Sequence, residues 1–176
     1  MKKTYSFKHV GKRKGDIKNI YRTLFYRWLV KKFLKRCKTV LDIGAGSGIF
    51  YDTAKKLGKK VQGIDLNDKN IRDNIVKMDY RKLNKHFDCC FNSQLIEHVD
   101  PFEFMKVMEK YCDKILITIT VRPCTKFWDN PDHIRPYTTK AMRLLHRDHG
   151  FKTIFAMNLY PTKSFIAIGK KIRKRK

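Results

Sequence analysis

Long apolar runs are missing from this chain of 176 residues. None approaches the ~18–20 residues that a helix needs to cross a bilayer, so no transmembrane segment is expected. The N-terminus, Met1-Lys2-Lys3-Thr4-Tyr5, is basic but lacks the apolar stretch of a secretory signal. A cytoplasmic location is the expectation. Cysteine is sparse: there are five, an odd number, with no Cys-x-x-Cys pair. That pattern argues against a disulfide framework and against a structural zinc site. Cys89 and Cys90 sit in an apolar run, where free cysteine behaves as a small hydrophobe. Internal repeats are also lacking, and the length suits one domain with a real core.

Acids are the scarcest charged class, 16 against 41 Lys and Arg, for a net charge of +25. The excess sits at the ends. Residues 1–38 hold 14 basic residues and one acid, Asp16, and the last seven residues hold six more. Between Thr39 and Gly169 there are 21 basic residues against 15 acids. Such a field attracts RNA, other polyanions, anionic lipid or acidic substrates, or simply favours solubility.

What is present is periodic. Ile17, Ile20, Tyr21, Leu24, Phe25, Trp28 and Leu29 recur at helical spacing, opposite Lys18, Arg22 and Lys31. This predicts an amphipathic helix ending near Arg36, packing its aromatic face on the domain. Residues 1–38 therefore read as a basic arm and this helix, 39–169 as the main domain, and 170–176 as a basic tail. From Thr39 short apolar strands alternate with helical segments. Strands are expected at 39–43, 60–65, 75–78, 87–92, 114–120, 151–157 and 164–169, with helices near 47–57, 68–73, 101–111 and 139–149. Alternation of this kind gives right-handed crossovers and a mostly parallel sheet covered on both faces. The last two strands are too close for a crossover and must form an antiparallel hairpin. The fold class is α/β, a Rossmann-like three-layer sandwich with seven strands.

Chemistry concentrates at the first strand-to-helix turn, Leu41-Asp42-Ile43-Gly44-Ala45-Gly46-Ser47-Gly48. Glycines let the backbone turn tightly and approach a ligand. The spacing is Gly-x-Gly-x-Gly, not the Gly-x-Gly-x-x-Gly that favours a dinucleotide pyrophosphate. Asp42 would repel phosphate and suit a cationic amino-acid moiety. Asp65 ends the second strand, where a carboxylate can accept both ribose hydroxyls. Asp79 follows the third, placed to accept from an adenine amino group.

These motifs resemble those of class I S-adenosylmethionine-dependent methyltransferases, over Thr39 to Gly169. Val40 to Gly48 is similar to their first motif, Gly63-Ile64-Asp65-Leu66 to the second and Met78-Asp79-Tyr80 to the third. Phe87-Asp88 with Ile96-Glu97-His98-Val99 resembles the subgroup that includes ubiquinone-biosynthesis methyltransferases. The resemblance implies S-adenosylmethionine as cofactor. It implies that Asp42 with Gly44, Ala45, Gly46 and Gly48 holds the methionine end, and that Asp65, beside Leu66, holds the ribose. It assigns Asp79 with Tyr80 to the adenine, and Asn92 and Ser93 to the cofactor's other side.

The methyl acceptor should enter at the carboxyl ends of strands four and five. His98 is one candidate there, either catalytic or an anchor for its turn. His133, in Phe127-Trp128-Asp129-Asn130-Pro131-Asp132-His133-Ile134-Arg135-Pro136-Tyr137-Thr138, is the other, as base, substrate ligand or helix cap. Trp128, Arg135 and Tyr137 would shape the acceptor pocket or anchor the loop. Glu97-His98 lacks obvious partners for a closed metal site, so no metal is expected. The Asn/Asp-Pro-Pro-Tyr/Phe signature of base amino methylation is absent, Asn92-Ser93-Gln94-Leu95 standing in its place. Cys124 lacks the motifs that accompany carbon-5 pyrimidine methylation. The expected activity is methyl transfer to oxygen or nitrogen of an unidentified acceptor, a small molecule among the candidates. The alternatives are an RNA-directed enzyme or nucleic-acid-binding protein using the basic ends, and a non-catalytic cofactor-binding subunit.

Overall fold

The computed structural model describes residues 17–172; the expected basic arm, and the tail beyond Ile172, lie outside the described residues. The elements run α1 (Ile17–Phe33), β1 (Thr39–Ile43), α2 (Ile49–Lys56), β2 (Lys60–Asp65), β3 (Ile75–Lys77), β4 (Phe87–Ser93), α3 (Pro101–Tyr111), β5 (Cys112–Val121), α4 (Thr139–Asp148), β6 (Phe151–Leu159) and β7 (Ser164–Lys171). Seven strands form one sheet in the order β3-β2-β1-β4-β5-β7-β6. The β1–β2, β1–β4, β2–β3 and β4–β5 pairs are parallel. β7 runs antiparallel to both β5 and β6, as the short connection after β6 requires. The strand order reverses direction between β1 and β4, and the crevice outside their carboxyl ends is where sheets of this kind bind ligands.

Each face of the sheet carries its own core. On one, Leu41, Ile43, Cys90 and Leu116 pack on Phe104, Met105 and Met108 of α3 and on Met142 and Leu145 of α4. On the other, Val40, Cys89, Phe91, Ile117 and Ile168 pack on Tyr26, Leu29 and Val30 of α1 and on Phe50 and Ala54 of α2. Phe50 stacks on Phe91 at 3.6 Å between ring centroids, and Tyr26 sets its edge against both. Local capping fixes the helix starts. The Asp100 side chain accepts from the Glu103 N–H ahead of Pro101, and Thr138 Oγ1 accepts from Ala141 N–H. All five cysteines are free, and four are buried; burial pushes the Cys37 thiol up to about 11.

Two expectations need correction. The segment 68–73 is no α-helix but a single turn, Asp68–Asn70. The Asn67 side chain caps Lys69 N–H, and Asp73 takes a φ of +47°, which helical backbone cannot continue. The second concerns α1. Its buried residues are Tyr26, Leu29 and Val30, whereas Ile17, Ile20, Tyr21 and Leu24 are exposed. Of the predicted face, Leu29 is buried and Phe25 and Trp28 pack against the core beside Tyr26 and Val30, so only its first turns depart from the expectation. No helix among the described residues is long and apolar enough to cross a membrane.

Candidate active site

The glycine turn is built as its spacing predicts. Gly44, Gly46 and Gly48 have φ of +67°, +53° and +73°, a region in which only glycine sits without strain. A side chain at Gly48 would collide with the Arg72 guanidinium, its Cβ falling 2.3 Å from Nη2. The turn is tied to β2: Gly44 and Ala45 donate to the Ile64 carbonyl at 2.8 and 3.1 Å. Asp65 completes the link, Oδ2 accepting from Gly46 N–H and Oδ1 from Asn67 N–H, both at 2.8 Å. Each oxygen retains a further lone pair for a ligand. Leu66, next along, is exposed.

Asp42 lies beneath the turn, buried, with Oδ2 accepting from Tyr51 N–H at 3.1 Å. Burial pushes its carboxyl up to about 8; Asp65 and Asp52 add to the rise, while the Tyr51 N–H and Arg22 oppose it. The sign follows from linkage. In the unfolded chain the group ionises near its ordinary 3.8, so between that pH and about 8 the native state holds a proton that the unfolded state has lost. This contribution to stability is full below about 3.8 and is lost as pH rises through about 8. We therefore expect the wild-type melting temperature to fall more steeply from pH 5 to 8 than that of Asp42→Asn. Differential scanning calorimetry checks this; parallel pH profiles for the two proteins would contradict it.

The remaining carboxylate of the expected set is occupied. Asp79 caps the turn Tyr80–Lys82 through Arg81 N–H and takes the Arg81 guanidinium on both oxygens. The Arg81 hydrogen bonds hold its carboxyl below the usual range. The Tyr80 ring packs edge-on to Phe104, and its hydroxyl donates to Glu103 Oε2 at 3.3 Å. Asn92 is also inside the fold: its Nδ2 donates to the Ile117 carbonyl and to Thr118 Oγ1, and its Oδ1 has no partner. Ser93, one residue on, is half-buried at the end of β4.

Beside this crevice the chain assembles a second group of side chains that spacing alone does not reveal. The turn Ile96–His98 follows β4, and the segment 122–138 follows β5 and folds back onto it. Ile134 N–H donates to the Glu97 carbonyl at 2.7 Å, and Tyr137 Oη donates to the Ile96 carbonyl at 3.4 Å. His98 Nδ1 meets the Asp132 carbonyl at 3.1 Å, and His133 Nδ1 the Phe127 carbonyl at 2.8 Å. Those contacts make Nδ1 the protonated nitrogen of each neutral ring and Nε2 its basic one. The two rings lie 4.8 Å apart, with His133 stacked on Phe127. Glu97 is wholly buried; its Oε2 accepts from Thr120 Oγ1 at 2.8 Å, and Oε1 has no partner. Burial pushes its carboxyl up to about 7 and lowers the basicity of His98. Glu97, His98 and His133 each offer a ligand atom, all within 4.8 Å of one another. His133 is thus the partner that Glu97 and His98 lack in sequence. One carboxylate and two imidazoles could hold a divalent cation, or could bind and deprotonate a substrate directly. Of the side chains expected to shape the acceptor pocket, Trp128 and Arg135 are exposed. Tyr137 is buried and anchors the loop instead.

Glycine turn, carboxylate strand ends and terminal hairpin together define a Rossmann-like three-layer fold with its switch point between β1 and β4. The family profile described as a methyltransferase domain matches residues 17–116, and the chain belongs to that family. Over 87 residues it is 37% identical to the ubiquinone biosynthesis O-methyltransferase of Pelagibacter ubique, a stretch covering 42% of this chain and 36% of that protein. The chain thus matches about a third of that relative's length. Among solved structures, the magnesium protoporphyrin IX methyltransferase of Synechocystis with bound S-adenosylhomocysteine superposes with a TM-score of 0.73 at 15% identity, over 92% of this chain and 90% of that one. An S-adenosylmethionine-dependent methyltransferase from Archaeoglobus fulgidus gives 0.68 at 18% identity, over 89% and 100%. At those identities the likeness is one of fold.

Proposed function

We propose that this protein binds S-adenosylmethionine in the β1/β4 crevice and transfers its methyl group to an oxygen or nitrogen of a small acceptor. The observation that carries this reading is the pairing of the glycine turn, held by Asp65, with the Glu97/His98/His133 group at the neighbouring strand ends. Asp42 would receive the ligand's ammonium, which favours its ionised form. Asp65 would accept from the two ribose hydroxyls. The exposed Leu66 offers an apolar surface for the adenine, and Arg81 must share or release Asp79 for that carboxylate to accept the adenine amino group.

In the transfer step a lone pair on the acceptor forms the new bond to the methyl carbon while the carbon–sulfur bond breaks. Its electrons remain on sulfur, leaving S-adenosylhomocysteine. The acceptor's proton passes to His133 Nε2, oriented by the Phe127 carbonyl, and from there to solvent. Glu97 and His98 position the acceptor beside it. A divalent cation held by the three groups would favour the ionised form of the acceptor. Trp128 and Arg135, exposed on the same loop, would contact the rest of that molecule.

A transfer assay with the tritiated methyl donor across metabolite, protein and RNA fractions tests this reading. Label is expected in the metabolite fraction, and chelation followed by Mn2+ or Zn2+ shows whether a cation takes part. Label confined to RNA would contradict a small acceptor.

A further inference from the structure

Among the described residues, one side of the first turns of α1 is used neither by the core nor by the site. Ile17, Ile20, Tyr21 and Leu24 are 66%, 55%, 69% and 55% exposed. Their spacing of three and four residues aligns them on one side of the helix, opposite the buried Tyr26 and Val30. Along the same side toward the C-terminus the character changes. Arg27, Trp28, Lys31, Lys32 and Lys35 line an open groove of about 830 Å³ whose far wall includes Leu57 of the α2 end. None of these residues belongs to the candidate active site. Between Ile17 and Lys38 there are eight Lys and Arg and no acid.

We infer that this face of α1 docks the protein on an anionic membrane surface, with Ile17, Ile20, Tyr21 and Leu24 entering the headgroup–acyl boundary and the cations of the second half meeting lipid phosphates. The pairing of apolar and basic stretches selects this occupant. A bilayer interface offers an apolar layer and a negative charge side by side, and helices lying in it carry both. RNA supplies phosphates but nothing that rewards exposed Ile and Leu side chains. A second copy of the chain would supply an apolar stripe but would bring eight cations against eight. Tyrosine, present as the exposed Tyr21, suits the headgroup level. The inference does not depend on which methyl acceptor is used, or on whether one is.

The test is co-sedimentation of the full chain with vesicles of phosphatidylcholine alone and with about 30% phosphatidylglycerol, near physiological salt. Two variants accompany it, Ile20→Ser with Leu24→Ser, and Lys31→Glu with Lys35→Glu. All four positions are exposed, so both variants should retain the wild-type unfolding temperature; if the serine pair does not, Ile17→Ser alone replaces it. We expect binding to the anionic vesicles only, weakened roughly ten-fold or more by either pair. No binding to anionic vesicles would overturn the inference, as would binding that the serine pair leaves unchanged. RNA binding that responds to the charge pair alone, without vesicle binding, would assign the face to nucleic acid. Dimerisation abolished by the serine pair, again without vesicle binding, would assign it to a second copy.

Discussion

Asp65→Ala should weaken S-adenosylmethionine binding by at least about a hundred-fold, measured by calorimetry or by equilibrium dialysis with labelled cofactor. Two losses combine. Charge-assisted hydrogen bonds to a pair of ribose hydroxyls contribute about 1.5–3 kcal/mol each when nothing replaces them. The same carboxylate also fixes the turn, through Gly46 N–H at 2.8 Å, so its removal frees the backbone that must approach the ligand. Asp65→Asn should fall between wild type and alanine, because the amide keeps one acceptor oxygen but loses the charge. An unchanged affinity in Asp65→Ala would mean that the ribose is held elsewhere.

His133→Ala is expected to lower the methyl-transfer rate about 10²- to 10³-fold, within the range that positioned acid–base groups supply. Cofactor affinity should stay within about two-fold of wild type, because the role proposed for His133 is on the acceptor alone. The ring is held by the Phe127 carbonyl and stacked on Phe127, so Phe127→Ala should reproduce part of the rate loss without removing the imidazole. Single-turnover rates alongside cofactor titrations separate the two quantities. Equal losses in rate and cofactor affinity would show that His133 merely supports the fold of the loop. Mn2+ titration of both proteins adds a readout independent of rate: weaker binding to His133→Ala would make the imidazole a ligand.

Much of this was legible in the sequence, for local reasons. Glycines at fixed spacing after a buried strand, and a carboxylate at each of the next two strand ends, express backbone constraints that act over a few residues. The terminal hairpin followed from the length of one loop. What could not be read depends on direction and on distance along the chain. Asn92 and Tyr80 sit at motif positions, yet both side chains turn into the core. β4 is buried on both faces, so no alternation in Phe87–Ser93 tells which residues point where. In α1, Ile17, Ile20, Tyr21 and Leu24 and the pair Tyr26/Val30 both satisfy helical spacing, so spacing does not tell that the first set stays exposed while Phe25, Trp28 and Leu29 pack on the core. Tertiary packing on Phe50 and Phe91 chooses between them. The meeting of His98 with His133 needed the fold itself, since it is the return of segment 122–138 over the turn Ile96–His98 that joins them.

The central claim is that the β1/β4 crevice binds S-adenosylmethionine, and a calorimetric titration of the wild-type protein tests it most directly. Saturable one-to-one binding of the cofactor and of S-adenosylhomocysteine is expected. Near pH 6.5 it should be accompanied by proton release, seen as a heat that varies with buffer ionisation enthalpy, because the ligand's ammonium drives the Asp42 proton off. Affinity should rise toward pH 8, the neighbourhood in which that carboxyl titrates in the free protein. Absence of binding by either ligand at any pH in this range would contradict the account.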